Sequence, residues 1–159
     1  MRVKNLAIDI TEVEYNGQNE IIIAHGVNCQ GVMGSGVARA LYEKWPTVKS
    51  EYLKLPKRAR TLGRIQPVSV EKGITVFNCF TQEFYGNDGA KYADPEAIET
   101  CVRAVLKYIE EMEMRKPMFY IPRIGTGYGG LDWKTEVASR VATLGREYND
   151  SITMVICTQ

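Results

Sequence analysis

The chain has 159 residues, 45% hydrophobic and 25% charged, a balance expected of one globular domain spanning residues 1–159 with a core of its own. A formal net charge of +1 argues against a general nucleic-acid or membrane binder, and no apolar run is long enough to span a bilayer. No signal-peptide pattern opens the chain, so a cytoplasmic protein is the expectation.

Apolar strands alternate with helices, without repeats or low-complexity segments. Strands are expected at residues 3–8, 20–25, 65–70, 74–80, 117–122 and 152–157. The stretch from Ser35 to Trp45 reads as a helix stopped by Pro46, with a second short helix running through Leu55. Residues 64–80 read as an antiparallel pair turned at Glu71, Lys72 and Gly73, which makes the sheet mixed. The clearest helix follows Asp94, an N-cap residue with Pro95 at the first helical position. Ile98, Val102, Val105, Leu106, Ile109 and Met112 recur along it at helical spacing. A last helix opens at Asp132 or Trp133 and turns Val137, Val141 and Leu144 inward. Together these predict an α/β protein, a three-layer α/β/α sandwich around a mixed central sheet.

Lys54, Lys57, Arg58, Arg60 and Arg64 form one dense basic run, read either as a solvated loop or as a contact for RNA or an acidic partner. Cys29, Cys79, Cys101 and Cys157 are scattered, and His25 is the only histidine. Metal sites need clustered ligands, so no metal is expected and the thiols read as small core residues.

Two glycine-rich loops each follow an apolar strand and open onto a helix. The first runs from His25 through Asn28 to Gly34, Ser35, Gly36 and Val37. The second runs from Ile124 through Gly125, Thr126, Gly127 and Tyr128 to Gly129. Glycines allow backbone N–H groups to approach an anion, and a helix N-terminus adds a favourable dipole. One such loop holds one phosphate, and two at one sheet edge can grip a diphosphate. Neither carries the lysine of a Walker A loop. Gly125, Gly127 and Gly130 have dinucleotide-fingerprint spacing, but only one strand follows them, too little sheet for that fold.

These segments resemble the macro domain, an ADP-ribose-binding fold. His25-Gly26-Val27-Asn28 with Gly34-Ser35-Gly36-Val37-Ala38 is similar to its first ligand loop, and Ile124 to Gly129 to its second. Asp9-Ile10-Thr11 resembles the family's Gly-Asp-Ile-Thr segment, and Asn78 with Tyr85 to Gly89 resembles a loop of the subgroup that processes ADP-ribose 1''-phosphate. The resemblance implies that Asp9 and Ile10, with Thr11 beside them, hold the adenine. Met33, Gly34, Ser35, Gly36 and Val37 would hold one phosphate. Ile124, Gly125, Thr126, Gly127 and Gly129 would hold the other, and Tyr128 would lie against a ring. Asn28 would hold ribose hydroxyls or orient a water, His25 would act as an acid or base titrating near neutrality, and Asp88 as a base or water-orienting carboxylate.

The implied function is hydrolysis of the terminal phosphate of ADP-ribose 1''-phosphate by metal-independent water attack, with no cofactor. The alternatives are removal of ADP-ribose from protein or nucleic acid, and non-catalytic reading of ADP-ribose or a related signalling nucleotide. Relatives that release ADP-ribose from glutamate use a lysine and an aspartate where this chain has Gln82 and Gly129, which weakens a lysine-adduct route. The implied partners are a small ADP-ribose derivative or an ADP-ribosylated macromolecule.

Overall fold

A computed structural model describes residues 1–158; Gln159, the last residue of the expected 1–159 domain, lies outside the described residues. Six strands form one sheet: β1 (Arg2–Leu6), β2 (Ile21–Asn28), β3 (Ile65–Glu71), β4 (Ile74–Gln82), β5 (Met118–Pro122) and β6 (Thr153–Cys157). Their order is β1-β6-β5-β2-β4-β3, and every neighbouring pair is parallel except β3 with β4. The antiparallel hairpin turns at Gly73, whose φ of +78° favours glycine. The sheet is therefore mixed, with the one antiparallel strand at its edge.

Four helices cover it: α1 (Gly36–Lys44), α2 (Thr47–Lys54), α3 (Pro95–Glu111) and α4 (Ala138–Glu147). Alternation along β2 sets the layers. Ile22 and Ala24 pack with Val102 and Val105 of α3 and Val141 and Leu144 of α4. Ile21 and Ile23 pack with Leu41 of α1 and Val48 and Tyr52 of α2. This is the expected three-layer α/β/α sandwich. Asp94 caps α3 by accepting from the amides of Glu96 and Ala97, a contact worth about 1 kcal/mol.

Some boundaries move. β1 stops at Leu6 rather than residue 8, because the Asp9 carboxylate accepts from the Thr11 amide and turns the chain into a short helical turn, Ile10–Glu12. β4 runs on to Gln82, since a bulge between Val27 and Asn28 lets it pair further along β2. Asp132 accepts from the Thr135 amide and caps a wide turn, Trp133–Val137, that leads into α4. Among the described residues no helix is long and apolar enough to cross a membrane.

The chain leaves β2 for α1 on one face and leaves β5 for α4 on the other, although β2 and β5 are adjacent. Loops that part in this way leave a crevice at the strands' carboxyl ends, where ligands of open α/β sheets sit.

Candidate functional site

A cavity of about 770 Å³ occupies that crevice. Its floor is the end of β2, from His25 to Asn28, with Thr81 and Gln82 of β4. One wall is the first glycine loop, Met33 to Val37; the other is Ile124 to Gly129. Both loops are thus brought to one space, from opposite layers of the fold.

The first wall ends in the N-terminus of α1. Ser35 occupies the capping position, yet makes no capping hydrogen bond with its side chain. The first amides of a helix have no acceptor within it, so this end presents unmatched donors and the positive end of the dipole. Gly36 has φ +60°, and a Cβ at Gly34 or Gly36 would meet nothing within 4 Å. The loop behind is braced from several sides. Asn28 Oδ1 accepts from the Gln30 amide at 2.9 Å and the Tyr52 hydroxyl at 3.0 Å, while its Nδ2 donates to the Val32 carbonyl at 2.7 Å. Arg60 reaches up from the basic run and donates to the Cys29 carbonyl. Asn28 thereby organises the loop with both ends of its amide.

The second wall is held from below. The Gly129 carbonyl accepts from the amides of Tyr92 and Ala93, and the Gly125 carbonyl from the Leu131 amide. Gly125 has φ +86°, and a Cβ there would lie 2.6 Å from Ile98 Cδ1. Gly127 has φ +60° with open space around it. Tyr128 is 59% exposed at the rim.

His25 lines the cavity but is 1% exposed, and its Nε2 stands 2.5 Å from Oδ1 of the buried Asn78. Asn78 spends its own donors on the Val48 carbonyl and Gln66 Oε1, so its oxygen accepts and Nε2 carries the proton. Burial pushes the His25 pKa down to about 4, against a smaller upward pull from Asn78. The expectation of an imidazole titrating near neutrality is thus corrected: desolvation keeps the ring neutral. In the unfolded chain the ring takes a proton near pH 6.5. The unfolded state therefore binds more protons between pH 6.5 and 4, and folding stability is full above that window and falls as pH drops through it. Lowering the pH from 7.5 to 5 should cost about 2 kcal/mol in urea unfolding. The His25→Gln variant should lose this slope; an unchanged slope would contradict the assignment.

Asp88 is exposed and does not line the cavity. Its Oδ1 accepts from the Ala90 amide and the Tyr92 hydroxyl, and these bonds hold its pKa below the usual carboxylate value. These bonds make Asp88 a turn aspartate next to the lining residue Asn87. Asp9, Ile10 and Thr11 also fall outside the lining, Ile10 being buried. Burial, with a smaller contribution from the Asp9 carboxylate, raises the pKa of the lining residue Cys157 to about 11. Hydrogen bonds from the Thr11 hydroxyl and amide keep the Asp9 carboxyl below its ordinary value.

Thr81, Gln82, Tyr85, Asn87 and Arg123 also line the cavity. The family resemblance pointed to Gln82 and to the Tyr85–Gly89 loop, but nothing in the sequence pointed to Thr81 or Arg123 as lining residues. For Thr81 the available signal was position, since it follows the apolar run of β4, whose end shares the sheet edge with β2. Among the described residues, no group of three or more His, Cys, Asp or Glu side chains is placed to hold a metal ion.

Residues 24–141 match the family model described as Macro domain. An uncharacterized 17.5 kDa protein of Enterobacteria phage T4 is 34% identical over 84% of this chain and 84% of its own length. A DNA ADP-ribosyl glycohydrolase of Mycobacterium bovis is 26% identical over 80% of this chain, which spans 36% of that larger protein. The macrodomain of Mycobacterium tuberculosis DarG superposes with a TM-score of 0.79 over 99% of this chain and 98% of that one, at 22% identity. The chain belongs to the macro domain family.

Proposed function

We propose that the cavity binds ADP-ribose, its diphosphate between the two glycine loops, and that the protein hydrolyses the terminal phosphate of ADP-ribose 1''-phosphate. The observation that carries this reading is the meeting of two glycine loops, one ending in an uncapped helix N-terminus, across one cavity of about 770 Å³. Backbone N–H groups there complement the phosphate oxygens. The adenine end is assigned to the Cys157 and Thr158 side, where Asp9 Oδ1 is engaged by Thr11 and Oδ2 is left for an exocyclic amine.

Water attacks the terminal phosphorus, the bond to the ribose 1'' oxygen breaks, and that oxygen keeps a proton from the water. A ring with a pKa of about 4 holds no spare proton at neutral pH, so His25 supports the floor rather than donating. Asn28 fixes the first loop, and Asp88 acts only through the 88–92 turn. Rate enhancement then rests on positioning and on backbone donors aimed at the phosphoryl oxygens, and it is modest.

A second reading, release of ADP-ribose from a nucleic acid, is favoured by the name of the Mycobacterium bovis relative. Gln82 stands beside Gly129 and donates to the Phe84 carbonyl, so this route would use water at the ribose carbon and no lysine adduct. Incubation with ADP-ribose 1''-phosphate, ADP-ribosylated protein and ADP-ribosylated DNA, in EDTA, separates the readings. Phosphate release that survives chelation is expected. Release of ADP-ribose from DNA alone favours the second reading, and binding without turnover leaves a reader. Activity lost to EDTA and restored by magnesium overturns the metal-free mechanism.

A further inference from the structure

A chain of amides runs from the outer helix layer to the floor of the cavity. The Gln66 side chain on β3 donates from Nε2 to the Glu51 carbonyl of α2 at 2.8 Å, which leaves its Oε1 to accept from Asn78 Nδ2 at 3.0 Å. Asn78 Nδ2 also donates to the Val48 carbonyl at 3.1 Å. A carbonyl oxygen only accepts, so these partners fix the orientation of both side-chain amides. Asn78 Oδ1 is therefore the atom turned to His25, its register neighbour across β2 and β4, and at 2.5 Å it accepts from Nε2. Three strands and α2 thus select one neutral tautomer of the ring.

In that tautomer Nδ1 carries a lone pair and no proton. It has no hydrogen-bond partner, and among the described residues it is the one buried side-chain nitrogen or oxygen left bare. Buried polar atoms are matched in the great majority of cases, so a bare one beside a cavity marks a place where a further group donates. The two ring nitrogens point to different sides of the imidazole. With Nε2 aimed at β4, Nδ1 is turned to the β5 side of β2, where Pro122, Arg123 and Cys157 line the same cavity as His25. Pro122 has no N–H to offer, and the Cys157 thiol is directed at the Val155 carbonyl.

We infer that Nδ1 of His25 is an acceptor for an O–H group at the cavity floor, either a ribose hydroxyl of the ligand or a water held beneath it. At 1% exposure the ring is closed to bulk solvent, so the donor is a small group already inside the crevice. A ring with a pKa of about 4 accepts this hydrogen bond without taking the proton, so the hydroxyl is aligned and no proton is transferred. The ribose half of the inference rests on the reading of the cavity as an ADP-ribose site.

His25 is the only histidine, so isotope labelling of the imidazole nitrogens gives a single pair of ring signals in NMR. At neutral pH Nε2 should appear protonated, and Nδ1 as an unprotonated nitrogen moved upfield by an accepted hydrogen bond. An upfield position already present in the free protein identifies water as the donor; one that appears only with saturating ADP-ribose identifies the ribose hydroxyl. The His25→Gln variant keeps a donor for Asn78 but places no acceptor where Nδ1 stands. In calorimetry it should weaken ADP-ribose by about threefold to tenfold if the hydroxyl is the donor, and leave the affinity unchanged if water is. An Nδ1 signal at the unbonded position in both spectra, or a proton on Nδ1, overturns the inference, whatever the variant does. If ADP-ribose does not bind wild type, the function reading falls, and the spectrum of the free protein decides alone: a bonded Nδ1 keeps the acceptor, an unbonded one ends it.

Discussion

Gly34→Leu is expected to weaken ADP-ribose binding by about a hundredfold or more, about 2.7 kcal/mol, and to leave thermal melting unchanged. A Cβ at Gly34 meets nothing within 4 Å, and the backbone there is not left-handed, so the fold has room for a side chain. Gly34 lines the cavity, however, on the wall assigned to a phosphate. A leucine placed there takes the volume the ligand needs and holds the phosphate away from the α1 amides. Gly34→Ala, with only a methyl group added, should show a smaller loss. Calorimetry and a melting curve on the same samples decide the matter. Wild-type affinity in Gly34→Leu would mean that no ligand crosses this loop, and the two-loop clamp would fall.

Gly125→Val should do the reverse, destabilising the fold itself by about 3 kcal/mol and lowering Tm by about 6–12 °C. Two effects add. The φ of +86° places the residue in a region that disfavours any Cβ, a β-branched one most of all. A Cβ there would also lie 2.6 Å from Ile98 Cδ1 and 3.0 Å from Leu131 Cδ1, inside the packing of α3. Binding should be lost as well, but only as a consequence of the displaced loop. A variant that melts like wild type would show that Ile98 and Leu131 yield more readily than a packed core should.

These two glycines also mark how much could be read in advance. Local features were legible: the Asp94-Pro95 start of α3, the hairpin at Gly73 and the helix stop at Pro46 all follow from backbone chemistry confined to a few residues. The strand order was not, because parallel neighbours such as β2 and β5 lie far apart in sequence and no short-range signal fixes their pairing. Both glycine loops were visible as motifs, but which glycine faces open space and which faces Ile98 depends on packing. His25 was misjudged for the same reason. A lone histidine at a strand end reads as titratable until its burial against Asn78 is known. Tyr52 and Arg60, which brace the first loop, sit in segments that read only as a short helix and as a basic run open to solvent or to a partner.

That bracing separates two properties that are often entangled in binding proteins. Asn28, Tyr52 and Arg60 order the first loop when the chain folds, before any ligand arrives, so its conformational entropy is lost once and not again at each encounter. Phe84, Tyr85 and Tyr128 stand outside the braced frame with most of each side chain in solvent. Substitutions among them are free to retune what the protein accepts at the cavity mouth, with little effect on how well it folds. Variation of the lip over a braced pair of glycine loops is therefore the inexpensive evolutionary route open to this architecture.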